Sequence, residues 1–233
     1  MNILVIGGRG SIGGAVAKAY TDLGHTVKAT DKHDDVPDMH GMDIVIHCAG
    51  LKFVDECEKD PRSCVRDNVL LTYQMVEIAK KSGVKRFVFL STDKACLPTN
   101  LMGMAKRLSE AMVLQFGYVV IRLVNVIETR GNVFELWAKQ KKAGKPLTVT
   151  DKRMYRYFMT LAEAVKAIRY VAEDAPGLYA WHPRESKNLW HLAEIQGNPA
   201  GVVETGARPG EKFEENLHDG GNWERVQGDL WKK

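Results

Sequence analysis

The residues of this chain best suited to chemistry lie close together between positions 91 and 106. Ser91-Thr92-Asp93-Lys94 sets two hydroxyls, a carboxyl and an amine in four consecutive positions. They follow an apolar run, Phe87 to Leu90, and precede Pro98-Thr99-Asn100, after which a helix can restart with Thr99 or Asn100 as its cap. On that helix Met102 and Lys106 are four residues apart and share a face. The corner thus stands at a strand's carboxyl end, opposite a helix that carries a second amine. Open α/β sheets take their ligands at such ends, and this set suits proton and hydride chemistry.

The elements that must position this corner begin at the amino terminus. Asn2 to Ile6 read as a buried strand, followed by Gly7-Gly8-Arg9-Gly10-Ser11-Ile12-Gly13 and an apolar-periodic helix from Ala15 to Leu23. Glycines 7, 10 and 13 permit a tight turn, close approach of backbone to a pyrophosphate and close helix packing, with the helix start facing the phosphates. The strand–turn–helix context predicts a dinucleotide site. A second strand, His25 to Thr30, ends in Asp31. An acid about 20 residues past the glycines typically bonds the adenosine ribose hydroxyls and favours NAD. Arg9 and Lys32 argue for NADP, since either could meet a 2′-phosphate; NAD is the expectation and NADP stays open. Only 11 residues separate Asp31 from the next strand, Asp43 to His47, too few for a helical crossover. One β–α unit is therefore expected to be missing. Asp38, in this short crossing, is placed either at the adenine or as a loop cap.

Further along, a helix is predicted from Pro61 to about Lys81, stopped by Gly83. It carries two apolar stripes, Val65-Val69-Tyr73-Val76 and Cys64-Leu71-Met75-Ile78, one for the sheet and one for another subunit or a broadly buried setting. Tyr118 to Leu123 reads as a strand, Gly131 to Ala143 as a helix, Pro146–Thr150 and Arg156–Met159 as short strands, and Thr160 as the cap of a helix from Leu161 to about Glu173. The fold class expected is α/β: a Rossmann-like parallel sheet with flanking helices and a small C-terminal substrate-binding portion. Residues 1–126 would form the dinucleotide-binding part with the catalytic corner, and 127–233 the substrate part.

Composition narrows the class. With 233 residues, 45% hydrophobic and 27% charged, the chain fits one soluble globular domain with a small appendage. No apolar run reaches the roughly 20 residues of a membrane span, and MNILVIGG passes from strand into glycines without the basic leader of a signal peptide. Four cysteines without CxxC spacing read as free thiols in a reducing, cytoplasmic setting, and seven scattered histidines give no metal site. A net charge of +4 without basic blocks suits a phosphorylated small molecule better than nucleic acid.

Several segments, in order, resemble the polysaccharide-biosynthesis nucleotide-sugar dehydratases, the UDP-N-acetylglucosamine 4,6-dehydratase group of the extended short-chain dehydrogenase/reductases. They are STDKA and PTNLMGMAKRLSE (within 91–110), CAGLKFVDECEKDP (48–61), PLTVTDKRMYRYFMT (146–160) and ARPGEKFEENL (207–217). The resemblance covers nearly the whole chain. It implies oxidation at C4 of a UDP-sugar, loss of water across C5 and C6, and return of the hydride to C6. By position it implies that Thr92 bonds the 4-hydroxyl, Asp93 protonates the departing oxygen, Lys94 takes the C5 proton, and Lys106 holds the nicotinamide ribose. Cys48, Ala49, Gly50, Asn68 and Leu90 would wall the cofactor; Lys52, Asn125, Arg130, Arg156 and Arg208 would meet the substrate, with Glu211 on the uridine ribose. Lys94 can be a base only if its pKa falls well below about 10.4, which burial beside Lys106 would favour. Met102 replaces the tyrosine usual in short-chain dehydrogenases, and a thioether cannot accept a proton; Asp93, Lys94 or a water relayed through Thr92 then remain for the C4 base. An epimerase on the same scaffold and a non-catalytic cofactor-binding protein are the alternatives, and a dimer through helices 61–82 and 100–116 is expected.

Overall fold

Runs of branched apolar residues make the strands, and their burial on both faces makes the sheet parallel and central. In the computed structural model, which describes Met1–Lys233, β1 (Asn2–Ile6) is joined through α1 (Ser11–Asp22) to β2 (Thr26–Thr30), and both pair in parallel. β3 (Ile44–His47) lies on the other side of β1, followed outward by β4 (Arg86–Thr92) and β5 (Val119–Leu123), all parallel. β2 is an edge strand. The absent β–α unit is thus confirmed: the chain crosses from β2 to β3 without a helix, and buried Met39 fills core space against Leu4, Ile6 and Val45. The structure is a Rossmann-like α/β fold, shortened on that side.

Between β3 and β4 run α2 (Val54–Lys59), α3 (Pro61–Cys64), a π turn (Val65–Leu70) and α4 (Leu71–Lys81). The π turn interrupts the helix predicted as continuous. It also breaks the two predicted stripes: Cys64, Met75 and Val76 are buried while Val65 and Tyr73 are exposed. α5 (Leu101–Gln115) packs with α4 on one face of the sheet; α1 packs with α7 (Leu161–Glu173) on the other. Asn100 rather than Thr99 caps α5, its Oδ1 accepting from Gly103 N at 2.9 Å. Thr160 and Glu163 form a reciprocal cap on α7.

Beyond residue 126 the chain does not simply leave the sheet. β10 (Gly177–Trp181) pairs parallel with β5, and the hairpin of β13 (Glu224–Gln227) and β14 (Leu230–Lys232) closes that edge antiparallel. What stands apart is a small lobe with its own core of Trp137, Leu147, Val149, Met154, Leu189 and Ala193. It comprises α6 (Val133–Lys142), β7 (Leu147–Val149), β8 (Tyr155–Arg156), β11 (Lys187–Asn188), α8 (Leu189–Glu194) and β12 (Val202–Glu204). The boundary expected at 126 therefore does not separate the layers; three sheet strands come from beyond it. β6 (Asn125–Val126) and β9 (Phe158–Met159) pair where lobe and sheet meet, and the predicted strand 156–159 is two strands with different partners.

Candidate active site

At the carboxyl ends of β1, β3 and β4 lies a cleft of about 690 Å³. Gly7 (φ 89°) turns the chain where an added Cβ would meet Ala49 N at 2.7 Å, and a Cβ on Gly13 would meet Gly7 O at 2.2 Å. Only glycine permits this packing of turn, helix and strand. α1 has no side-chain cap, so its first amide groups are left for an anionic ligand. Asp31 lines the far end of the cleft. The uncapped helix, the glycine turn and the acid together fit a dinucleotide.

The corner at residues 91–106 closes the cleft's near end. β4 delivers Thr92, and a single 3₁₀ turn, Asp93–Ala95, folds the next residues inward. Asp93 is 1% exposed; its Oδ1 accepts from Thr92 Oγ1 at 2.8 Å and from Lys94 Nζ at 3.0 Å, while Oδ2 is buried without a hydrogen-bond partner. Glu215, also buried, places Oε1 3.7 Å from Lys94 Nζ. Burial disfavours the Lys94 ammonium, but the two carboxylates outweigh it and the pKa is raised. The lowered pKa required of a lysine base is found instead at Lys106. Its Nζ donates to Leu90 O at 3.0 Å and sits 4.5 Å from the centre of the Phe89 ring, and burial pushes its pKa down to about 8. Met102 lines the same cleft one helical turn earlier and packs with Cys57 and Cys64.

A second cleft, about 320 Å³, opens between sheet and lobe and shares Lys94, Asn125 and Lys52 with the first. Arg156, buried, donates from Nη2 to Glu211 Oε1 at 3.4 Å, and exposed Arg208 lines the wall beside them. The two clefts converge on Lys94.

Behind the corner, Ser91 Oγ donates to Glu110 Oε1 at 2.6 Å. Glu110 is gripped by Arg122 through bonds of 2.8 and 2.7 Å, and Arg122 reaches Asp219 at 2.9 Å. Burial opposes the Asp219 charge, but Arg122 and Lys233 prevail and hold its pKa at about 2. This buried network ties the segment carrying Glu211 and Glu215 to β4.

A family profile described as polysaccharide biosynthesis protein matches residues 18–228. The chain belongs to this family. Among curated relatives, the probable polysaccharide biosynthesis protein EpsC of Bacillus subtilis is 33% identical over 87% of this chain and 39% of its own length. The UDP-glucose 4-epimerase of Rickettsia canadensis is 35% identical over 77% of this chain and 57% of its own. The chain thus spans less than two thirds of the length of either relative. Among solved structures, the UDP-glucuronic acid 4-epimerase of Bacillus cereus, in complex with UDP-glucuronic acid and NAD, superposes with a TM-score of 0.84 at 19% identity, covering 94% of this chain and 90% of that one. That likeness is one of fold.

Most residues expected in the cofactor site line the first cleft: Gly7, Gly10, Ser11, Ile12, Gly13, Asp31, Lys32, Cys48, Ala49, Gly50 and Leu90. Three do not. Asp38 is exposed and holds His40 N and its ring, so it is a loop cap. Arg9 points out and pairs with Asp34 at 2.9 Å. Asn68 is buried and spends its amide on Leu51, accepting from N and donating to O at 3.0 Å each, which fixes the loop after Gly50. Arg130, expected at the substrate, lines the first cleft beside the glycine turn: it donates from Nη2 to Arg9 O at 2.6 Å and from its backbone to Ser11 Oγ at 3.0 Å, and Lys52 Nζ donates to its carbonyl. Glu215 and the Glu110–Arg122–Asp219 network were not foreseen. The acids of EKFEEN were the available sign, but nothing in their spacing shows that one turns inward.

Proposed function

We propose that this chain is a nucleotide-sugar-modifying enzyme that carries out 4,6-dehydration of UDP-N-acetylglucosamine or a close UDP-hexosamine with bound NAD. The observation that carries the reading is the convergence of both clefts on the Lys94 amine, held in one hydrogen-bonded line with the Asp93 acid and the Thr92 hydroxyl of the first cleft. NAD, when bound, supplies the acceptor and later the donor of the hydride. The NAD and UDP-sugar in the fold-related Bacillus cereus epimerase support both ligand assignments.

The chain's residues then divide the proton work. The 4-hydroxyl proton passes through Thr92 to Asp93, whose hydrogen bond to Thr92 already exists. This supplies the base that Met102 cannot. Asp93 next gives that proton to the C6 oxygen, which leaves as water while the Lys94 amine takes the C5 proton. The Lys94 ammonium, whose protons exchange with solvent, returns a proton to C5 as C6 is reduced, so the acid and base end as they began. Lys94 enters as an ammonium and must first lose a proton to solvent. Lys106 orients the nicotinamide ribose, Arg156 and Arg208 meet the diphosphate with their planar forks, and Glu211 meets the uridine ribose. Two copies associate through helices 61–82 and 100–116, a reading supported by exposed Leu70, Tyr73, Met104 and Leu108.

An epimerase on the same scaffold is favoured by the Rickettsia relative and by the charged state of Lys94, which suits holding a substrate better than taking a proton. A simple 4-epimerase, however, has no use for an acid at C6. Incubation of UDP-N-acetylglucosamine in heavy water with NAD⁺, read by mass spectrometry and proton NMR, separates them. Loss of water with a new C6 methyl signal supports dehydration; an isomer of unchanged mass, apart from deuterium, supports epimerisation.

A further inference from the structure

NADP differs from NAD by a phosphate on the adenosine ribose, and a site accepts that dianion only by offering cations there. Arg9 and Lys32 are the cations at this end of the cleft. Both are already engaged. Lys32 Nζ lies 2.5 Å from Asp67 Oδ2, and Asp67 Oδ1 accepts from Arg66 Nε at 2.7 Å. Asp67 comes from the π turn between α3 and α4, 35 residues from its partner, and its side chain is only 9% exposed. Arg9 is held by Asp34, which also accepts from Asp31 N at 2.8 Å and so fixes the turn after β2. Asp31 itself makes only a local bond to Lys32 N, leaving its carboxylate toward the cleft.

We propose that Asp67 is a cofactor-specificity residue: it holds the Lys32 ammonium away from the ribose 2′-position, so that Asp31 faces a diol and the chain takes NAD in preference to NADP. Asp34 does the same for Arg9 more weakly, because that pair is exposed and exposed pairs are easily broken. Three cations (Arg9, Lys32, Arg66) and three carboxylates (Asp31, Asp34, Asp67) balance here. Replacing Asp67 by its neutral isostere leaves one net positive charge and a lysine free to meet a phosphate. The inference rests on the dinucleotide reading of the cleft but on no step of the reaction.

The test is the dissociation constants of NADH and NADPH, from quenching of tryptophan fluorescence. The unsubstituted chain should bind NADH at least about tenfold more tightly, and Asp67→Asn should narrow that ratio about tenfold or reverse it. Adding Lys32→Ala to Asp67→Asn should restore the preference, which a merely structural Asp67 would not do. Lys32→Met alone, useful should Asp67→Asn fold poorly, should lower NADPH affinity only about two- to threefold, the effect of one net charge, because this lysine is already occupied and makes no phosphate contact. An unmoved ratio in Asp67→Asn, or a large loss of NADPH binding in Lys32→Met, overturns the proposal. Tighter NADPH binding by the unsubstituted chain overturns it while the dinucleotide reading stands, and binding of neither nucleotide overturns both.

Discussion

Replacing Glu215 by Gln examines whether Lys94 is the C5 base. The carboxylate lies 3.7 Å from the Lys94 amine. At an effective dielectric constant near 20, two unit charges at that distance interact by about 4.5 kcal/mol. The charge is spread over two oxygens and the lysine side chain is 18% exposed, so its removal takes away about 1.5–3 kcal/mol of support for the ammonium, and the Lys94 pKa falls. The isosteric amide keeps the packing, and Asp93 stays in place. The neutral fraction of Lys94 at neutral pH then rises about 10- to 100-fold, and lower basicity takes back roughly half of that gain on a logarithmic scale. Solvent-deuterium entry at C5, followed by proton NMR across pH 6–10, should therefore show its rising limb displaced to lower pH, with a rate about 3- to 10-fold higher near pH 7. An unmoved limb means that Lys94 is not the group titrating in it. Complete loss of exchange, with cofactor binding intact, means that Glu215 itself must receive the lysine's proton before turnover.

Lys106→Met should stabilise the fold by about 1–2 kcal/mol at pH 7, a value discounted for the lost bond to Leu90 O from the roughly 3 kcal/mol implied by a pKa of about 8. The unfolded chain binds more protons than the folded one between about pH 8 and 10.5, so the gain should shrink as pH rises through that window in chemical denaturation, while NADH binding weakens. Arg122→Met leaves Glu110 and Asp219 as buried carboxylates without their main partner. It should cost about 3–5 kcal/mol by urea denaturation at pH 7. His47 donates from Nε2 to Thr72 Oγ1, the Thr72 hydroxyl being spent on Asn68 O, and its Nδ1 is buried without a partner. Burial, helped by the Lys106 charge, holds its pKa at about 3. The unfolded chain protonates this histidine below pH 6.5 and the folded chain does not, so it removes about 2–3 kcal/mol of stability between pH 7 and 4.5 that His47→Leu should retain.

The sheet was legible because its strands are short apolar runs ended by polar or glycine residues, and because 11 residues cannot hold a crossover helix. Asp31 and the glycine turn were legible for the same local reason. Helix 61–81 was misread in detail: a π turn adds a residue to one turn, so a 3.6-residue period read across Val65–Leu70 assigns faces wrongly beyond it. Lys94 was misread electrically. Its pKa depends on Glu215, 121 positions later in the chain, and charge at a distance in sequence has no periodicity to read. The fates of Arg9 and Lys32 were hidden likewise, since a cation next to a binding motif looks the same whether or not a carboxylate already holds it.

The segment bearing Glu211, Glu215 and Asp219 has a consequence for synthesis. A ribosome releases Lys94, Glu110 and Arg122 long before these acids exist, and the strands β4 and β5 can pair meanwhile. During that interval Arg122 lacks Asp219 and Lys94 lacks Glu215, and the second cleft lacks a wall. A nascent chain can thus acquire most of its Rossmann sheet while the site remains open and its charges remain hydrated. Ordering of the corner then waits for residues 211–219 to emerge and dock, so the sheet can form before the charges of the site are paired.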